Sequence, residues 1–245
     1  MFNPHLRECL HLDELRAVSE RRYGAVSQAT RFILYDQLIR LRGLLAQDPS
    51  SPILQVKVAD LRDDIQHAYQ AGGWATPGSA RYARVVAGSP PTIEFDRAFF
   101  DERYLPAVPA VAADLVEVTT PVLAPLEPGR CYMYVIDDRG RLLVWNRAFA
   151  LADLAFGRNR ATIGGIPVAH PMLVPDRLRV QAAGEVIFLG GEEMAAVILN
   201  NSSGHFQPPS SCAPIIREVV RAATGLADGQ VDVFTLSGGV HGDRV

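Results

Sequence analysis

Apolar residues recur at three- and four-residue steps through the first third of the chain. In RFILYDQLIRLRGLLAQ, residues 31–47, Ile33, Leu34, Leu38, Leu41 and Leu45 follow this spacing, with Asp36, Gln37, Arg40 and Arg42 elsewhere on the wheel. DPSSP, residues 48–52, breaks that helix and supplies caps for another, which carries Val58, Leu61, Ile65 and Ala68. The pattern predicts two or three packed helices between Leu6 and Ala71. Apolar stripes of this kind fill cores and say little about function.

Between Gly72 and Pro128 the pattern is interrupted by proline and glycine, in GGWATPGS, AGSPPTIEFD and TTPVLAPLEPG, so long regular elements are excluded. Short strands are expected at Tyr82–Val86 and Val116–Val122. The aromatic residues Trp74, Tyr82, Phe95, Phe99, Phe100 and Tyr104 need burial, which makes this stretch a wrapping connection and not a disordered linker.

From Arg130 onward the pattern is that of strands. CYMYVIDDRGRLLVW predicts a hairpin around an Asp-Asp-Arg-Gly turn. LRVQAAGEVIFLGGEEMAAVILNN predicts a second one turning at Gly190–Gly191, and GQVDVFTL a further strand. A helix is expected from about Ala213 to Thr224, with Ser210 and Ser211 ahead of it, Pro214 in its first turn and Gly225 after it. The resulting expectation is an α+β fold: N-terminal helices packed with an antiparallel sheet and a C-terminal covering helix. The composition places a boundary near residue 71, with a helical portion at 1–71 and a mixed portion at 72–245.

A chain of 245 residues with 48% hydrophobic content can bury a full core. Its formal net charge of -3 offers no general attraction to nucleic acid or to an anionic membrane, so neither is expected as a partner. Cys9, Cys131 and Cys212 are odd in number and widely spaced, which suits a reducing compartment better than a disulfide framework. MFNPHLRECLHLDELR carries charges where a secretory signal needs an apolar core, and no stretch supplies the roughly 18 apolar residues of a membrane span. A cytoplasmic protein is the expectation.

The polar residues of the sheet region carry the candidate chemistry. Glu185 stands in a strand whose neighbours Ala182, Ala183, Gly184, Val186, Ile187 and Phe188 read as buried. It is either paired with an arginine such as Arg179 or Arg147 or placed for a reaction. His170, in PVAHPML, is either tied to a backbone carbonyl or a site residue. In NNSSGHFQPP, Ser203 and His205 stand two apart, which in extended chain turns both side chains to one face; the same cluster also suits a turn and helix approach. His170, Glu185, Ser203 and His205 are the candidate catalytic residues, and Asn201, Arg158 and Arg160 the candidate substrate-binding residues, the two arginines as a bidentate grip on an anionic group. A Gly-x-Ser-x-Gly elbow is missing, as are the short His/Glu spacings of metal enzymes, so no metal is assigned. None of the glycine-rich pieces is a phosphate loop, and the cofactor stays unknown.

The segment AHPMLVPDRLRVQAAGEVIFLGGEEMAAVILNNSSGHFQP resembles a pattern in plant calmodulin-binding proteins that carry an IQ motif, and in related bacterial domains, some from polymorphic toxins. His170, Ala183–Gly184–Glu185, Gly190 or Gly191, Ser203–Gly204–His205 with Phe206, and Pro208 occupy the matching places. The upstream hairpin is similar in kind, and about a third of the chain is covered. Pro171 stands where that pattern has a serine, Phe206 where it has a tyrosine, and no IQ motif is present, so calmodulin binding is not carried over. The resemblance implies that His170, Glu185 and His205 belong to one site. A transferase or hydrolase acting on a small anionic or nucleotide-like substrate is the leading expectation, with ADP-ribosyl transfer as one form. A non-catalytic module binding a ligand or a protein is the alternative. Oligomeric state is not legible.

Overall fold

The structure, a computed structural model, describes residues 4–72, 81–155 and 161–238. These fall into two compact units, one of residues 4–72 with 150–155 and one of residues 81–149 with 161–238. The first stretch of the helical unit ends at Gly72. Residues 150–155 belong with the helices, a membership that composition did not indicate.

The helical unit holds α1 (Pro4–Tyr23), α2 (Gln28–Gln47), α3 (Pro52–Gln70) and α6 (Leu151–Ala155). Ser27 opens α2, its hydroxyl accepting from the Thr30 amide, and Pro52 opens α3, where its missing N–H costs nothing. Leu34, Leu38 and Leu41 of α2 and Val58, Leu61, Ile65 and Ala68 of α3 are buried, as their spacing predicts, whereas Ile33 and Leu45 are only partly so. Among the described residues no helix is long and apolar enough to cross a membrane.

The other unit is built on an eight-stranded sheet, which makes the fold α+β. Its strands are β1 (Ala83–Val86), β2 (Thr92–Phe95), β3 (Leu115–Glu117), β4 (Cys131–Asp137), β5 (Leu142–Trp145), β8 (Arg179–Gly190), β9 (Met194–Asn200) and β10 (Val231–Phe234). A separate small hairpin pairs β6 (Thr162–Ile163) with β7 (Ile166–Pro167). The hairpins β4–β5 and β8–β9 form where the sequence places them. Asp137 fixes the first turn, its carboxylate accepting the amides of Arg139 and Arg141, each at 2.9 Å, and Gly140 provides the left-handed φ of 77°. All pairings in this sheet are antiparallel but one: β10 runs parallel to β9. The reason is topological, since α7 (Ala213–Thr224) crosses between those two strands and a strand–helix–strand crossover returns the chain in the same direction.

The two faces of the sheet have different covers. Cys212, Ile216 and Val220 at and within α7 pack on Tyr132, Tyr134, Val144, Val186 and Phe188. Each aliphatic side chain buried there stabilises the helix by roughly 1.5–3 kcal/mol. Pro214 starts α7 and Gly225, at φ 73°, ends it, as expected. Ser210 and Ser211 lie in a single 3-10 turn ahead of it and make no side-chain cap. The opposite face is covered by the wrapping connection, through Phe95, Phe100 of α4 (Arg97–Arg103), Tyr104, Ala107 and Val111 of α5 (Val108–Ala112), together with Met172, Leu173 and Phe206.

Candidate functional site

Strand β8 is twelve residues long, and β4 lies along nearly all of one edge, from Val180 to Ile187. Its other edge is shared. β2 pairs only with Arg179 and Val180, and β9 takes over from Val186 to Gly190. Along that edge, residues 181–185 lie in a fork between β2 and β9. The candidate residues converge on this fork.

Asn200, the last residue of β9, meets the first need that a fork creates, which is a partner for an exposed backbone amide. Its Oδ1 accepts from the Glu185 amide at 3.0 Å and from the Ser202 amide at 2.8 Å, so a side chain replaces the next rung of the sheet. Its carbonyl oxygen accepts from the Tyr134 hydroxyl at 2.9 Å. Beyond Asn200 the chain loops through residues 201–209 and lodges Phe206, wholly buried, with its ring centroid 5.9 Å from that of Phe95 at the end of β2. The loop plugs the fork with an aromatic ring.

Asn201 and Ser203 hold the plug. Asn201 is fully buried; its Nδ2 donates to the Pro208 carbonyl at 2.7 Å and its Oδ1 accepts from the Leu236 amide at 2.7 Å. It thereby ties the loop to the segment that follows β10. Ser203 is also fully buried, its Oγ receiving the Phe206 amide at 3.3 Å and its carbonyl the Gln207 amide at 2.7 Å. Both side chains are engaged with local backbone, the use that hydroxyl and amide groups have in turns.

His170 occupies a buried 3-10 turn, His170–Leu173, and its Nε2 lies 3.0 Å from the Gly184 carbonyl oxygen. A carbonyl only accepts, so Nε2 carries the proton. Burial lowers its pKa from 6.5 to about 3, against the opposing pull of the Gly184 carbonyl; nearby His205 adds a smaller push in the same direction. This imidazole is neutral at any physiological pH.

Glu185 and His205 are the partly buried members of the set, and the Oε2 atom of Glu185 is itself buried. Glu185 stands opposite Met133 on the face that the wrapping connection covers, away from α7. Its charge also reaches Cys131 and Tyr134, whose pKa values are raised first by burial; the carboxylate is the next cause at Cys131 and follows Cys212 at Tyr134. The two arginines considered as its partners are engaged elsewhere, Arg179 with Glu94 at 3.1 Å and Arg147 with Asp114 at 2.7 Å. The His205 ring lies edge-on to Phe95 and Tyr104, with its Nε2 3.0 Å from the Tyr104 hydroxyl. Among the described residues no three His, Cys, Asp or Glu side chains converge in a way that could hold a metal ion. Arg158 and Arg160 lie outside the described residues.

Three residues of this arrangement were not singled out as site residues in the sequence. Tyr104 is separated from His205 by 101 positions, so no local spacing could connect them. Gly184 is required because a β-carbon there would meet Asn200, with Oδ1 at 2.8 Å. Asn200 itself was visible as the first of an asparagine pair at a strand end. No model of a known protein family matches this chain, and neither a curated protein nor a solved structure is significantly similar to it.

Proposed function

We propose that the fork between β2 and β9 houses the active site of a small enzyme, a transferase or hydrolase acting on a small anionic or nucleotide-like substrate. The observation that carries this reading is that a carboxylate and an imidazole, Glu185 and His205, neither wholly buried, stand on the elements that meet at the fork, where a buried neutral histidine is also held. A carboxylate and an imidazole at such a fork can move a proton or stabilise a developing charge during group transfer. His170, Asn201 and Ser203 are the frame of this site, since each is buried and bonded to backbone. ADP-ribosyl transfer is one form of the chemistry, in which Glu185 would stabilise an oxocarbenium-like state, and the similarity of motif order to bacterial toxin domains favours it. Arg158 and Arg160 belong to the same proposal, as the grip on the anionic part of the substrate.

A second reading, a non-catalytic ligand- or protein-binding module, draws on the same buried frame, because Asn201 and Ser203 spend their hydrogen bonds inside the chain. A thermal-shift screen with nucleotides, dinucleotides and sugar phosphates on wild type, Glu185→Gln and His205→Ala separates the two. A ligand at a hundredfold excess over its Kd stabilises by about 2.7 kcal/mol, which is readily seen. Binding with turnover that Glu185→Gln abolishes supports the enzyme. Binding without turnover in the wild type supports the module.

A further inference from the structure

The pattern Asp-Arg-x-Arg occurs twice in the sheet unit, at residues 138–141 in the turn between β4 and β5 and at residues 176–179, where the chain enters β8. In both copies the residue between the arginines has a left-handed backbone, Gly140 at φ 77° and Leu178 at φ 53°. Glycine adopts this freely, whereas a leucine does so at a cost and only where its surroundings fix it. Here they do. The Leu178 side chain is buried in the core, its amide donates to the Val174 carbonyl at 2.8 Å, and its carbonyl accepts from the Phe95 amide at 2.8 Å. The two turns line one cavity of about 440 Å³, together with the apolar residues Leu115, Leu143, Leu173, Val174 and Pro175. That volume lies in the range of small-molecule sites.

Four arginines and four carboxylates line this cavity, so its charges balance. Most of them are matched inside the protein. Arg141 holds the Asp137 carboxylate, with Nε and Nη2 each 2.7 Å from it, and its Nη1 lies 3.6 Å from Glu117. Arg177 pairs with Asp138 at 2.8 Å, and Arg179 is taken by Glu94 of β2 at 3.1 Å. The Arg139 guanidinium and the Asp176 carboxylate remain, each without an ionic or hydrogen-bonded partner among the described residues; Asp176 gives only its backbone carbonyl, to Arg97 at 2.7 Å. One cation and one anion are thus left open beside an apolar lining.

We propose that this cavity binds a free α-amino acid with an apolar side chain. Arg139 takes the ligand carboxylate in the paired geometry that a guanidinium offers, Asp176 takes the ammonium group, and the leucines receive the side chain. A polyanion would meet as many carboxylates as arginines, and an uncharged apolar molecule would desolvate both open charges with nothing in return. None of these residues belongs to the fork, so the site stands or falls independently of the function proposed there.

The test is amide-detected NMR on the full, isotope-labelled chain, titrated with leucine, isoleucine, valine, methionine and phenylalanine. Isocaproate, which is leucine without its ammonium group, isoamylamine, which is leucine without its carboxylate, glycine and inorganic phosphate serve as comparisons. At least one of the five amino acids is expected to shift the amides of residues 137–141 and 173–179, and to bind more tightly than every comparison compound. Arg139→Gln should weaken that amino acid by about tenfold or more and leave isoamylamine unaffected, while Asp176→Asn should weaken it similarly and leave isocaproate unaffected. Both substitutions alter exposed side chains without partners, so the fold should persist. Silence from all five amino acids at millimolar concentration overturns the proposal. So does phosphate or isocaproate binding as tightly as the amino acid, which would make this a plain anion site, or amino-acid binding indifferent to both substitutions.

Discussion

Asn200 crosses the strand at Gly184 so closely that only a residue without a β-carbon fits beneath it, with Asn200 Oδ1 2.8 Å from where that carbon would stand. The obstruction is mostly backbone, and the crossing chain is held by the Tyr134 hydroxyl and the Glu185 amide, so it cannot give way cheaply. Gly184→Ala should therefore destabilise the sheet unit by about 1–3 kcal/mol or more, by the usual cost of overpacking. Urea denaturation reads this directly, and a wild-type midpoint would contradict the crossing.

Gly43 is the opposite case. It lies inside α2, and a β-carbon there meets nothing within 4 Å. Gly43→Ala should stabilise the helical unit by roughly 0.5–1 kcal/mol, because alanine loses less backbone entropy in a helix. A drop in the same denaturation experiment would mean that the α2 surface is covered.

The buried His170 makes stability depend on pH with a definite sign. Its folded pKa, about 3, lies below the unfolded value of 6.5, so the unfolded chain binds the extra proton between these limits. Stability is fully present above pH 6.5 and falls as the pH drops toward 3, with a slope approaching about 1.4 kcal/mol per pH unit from this group. His170→Gln is expected to be less stable than wild type at pH 7, and the difference should shrink by pH 5. Parallel stability curves for the two proteins would show that His170 titrates in the folded state.

Asn201 receives the amide of Leu236, 35 residues further along the chain, and donates to the Pro208 carbonyl. Truncation to alanine leaves both backbone groups buried without a partner, at about 1–3 kcal/mol each. Asn201→Ala should destabilise the sheet unit measurably by chemical denaturation, whatever ligand is present. If it instead folds with wild-type stability and loses only ligand affinity, Asn201 belongs to the binding surface.

Ser203 and Glu185 separate frame from chemistry in one kinetic experiment. On the proposed reading Ser203→Ala keeps kcat within about tenfold, whereas Glu185→Gln lowers kcat by on the order of 10²–10⁴ with little change in binding. A collapse of kcat in Ser203→Ala, with the protein folded, would restore the serine as a nucleophile.

The periodic elements were legible because one physical signal dominates each. Leu34, Leu38 and Leu41 mark a helix face, the Asp-Asp-Arg-Gly turn marks a hairpin, and Pro214 and Gly225 bracket α7. What escaped is either short or non-local. β2, four residues after Pro90–Pro91, and α4, seven residues capped by the Asp96 carboxylate on the Phe99 amide, are too brief for periodicity to register. The parallel pairing of β10 was implied by the strand–helix–strand order but not drawn from it. In the site, His170 bonded to a carbonyl was one of the two outcomes its apolar flanks allowed, whereas the Tyr104–His205 contact depends on the wrapping connection and leaves no local trace.

The membership of α6 bears on how the protein is made. This helix packs on α2, where Gln28 Nε2 donates to the Leu154 carbonyl at 3.1 Å, yet β1 through β5 are translated before it. On the ribosome the first three helices emerge long before the piece that completes them, so the helical unit cannot finish folding until β1 through β5 have been made. A fragment cut at residue 72 would carry α2 with the α6 contact surface bare. The two units are interleaved along the chain and so in the order of their synthesis.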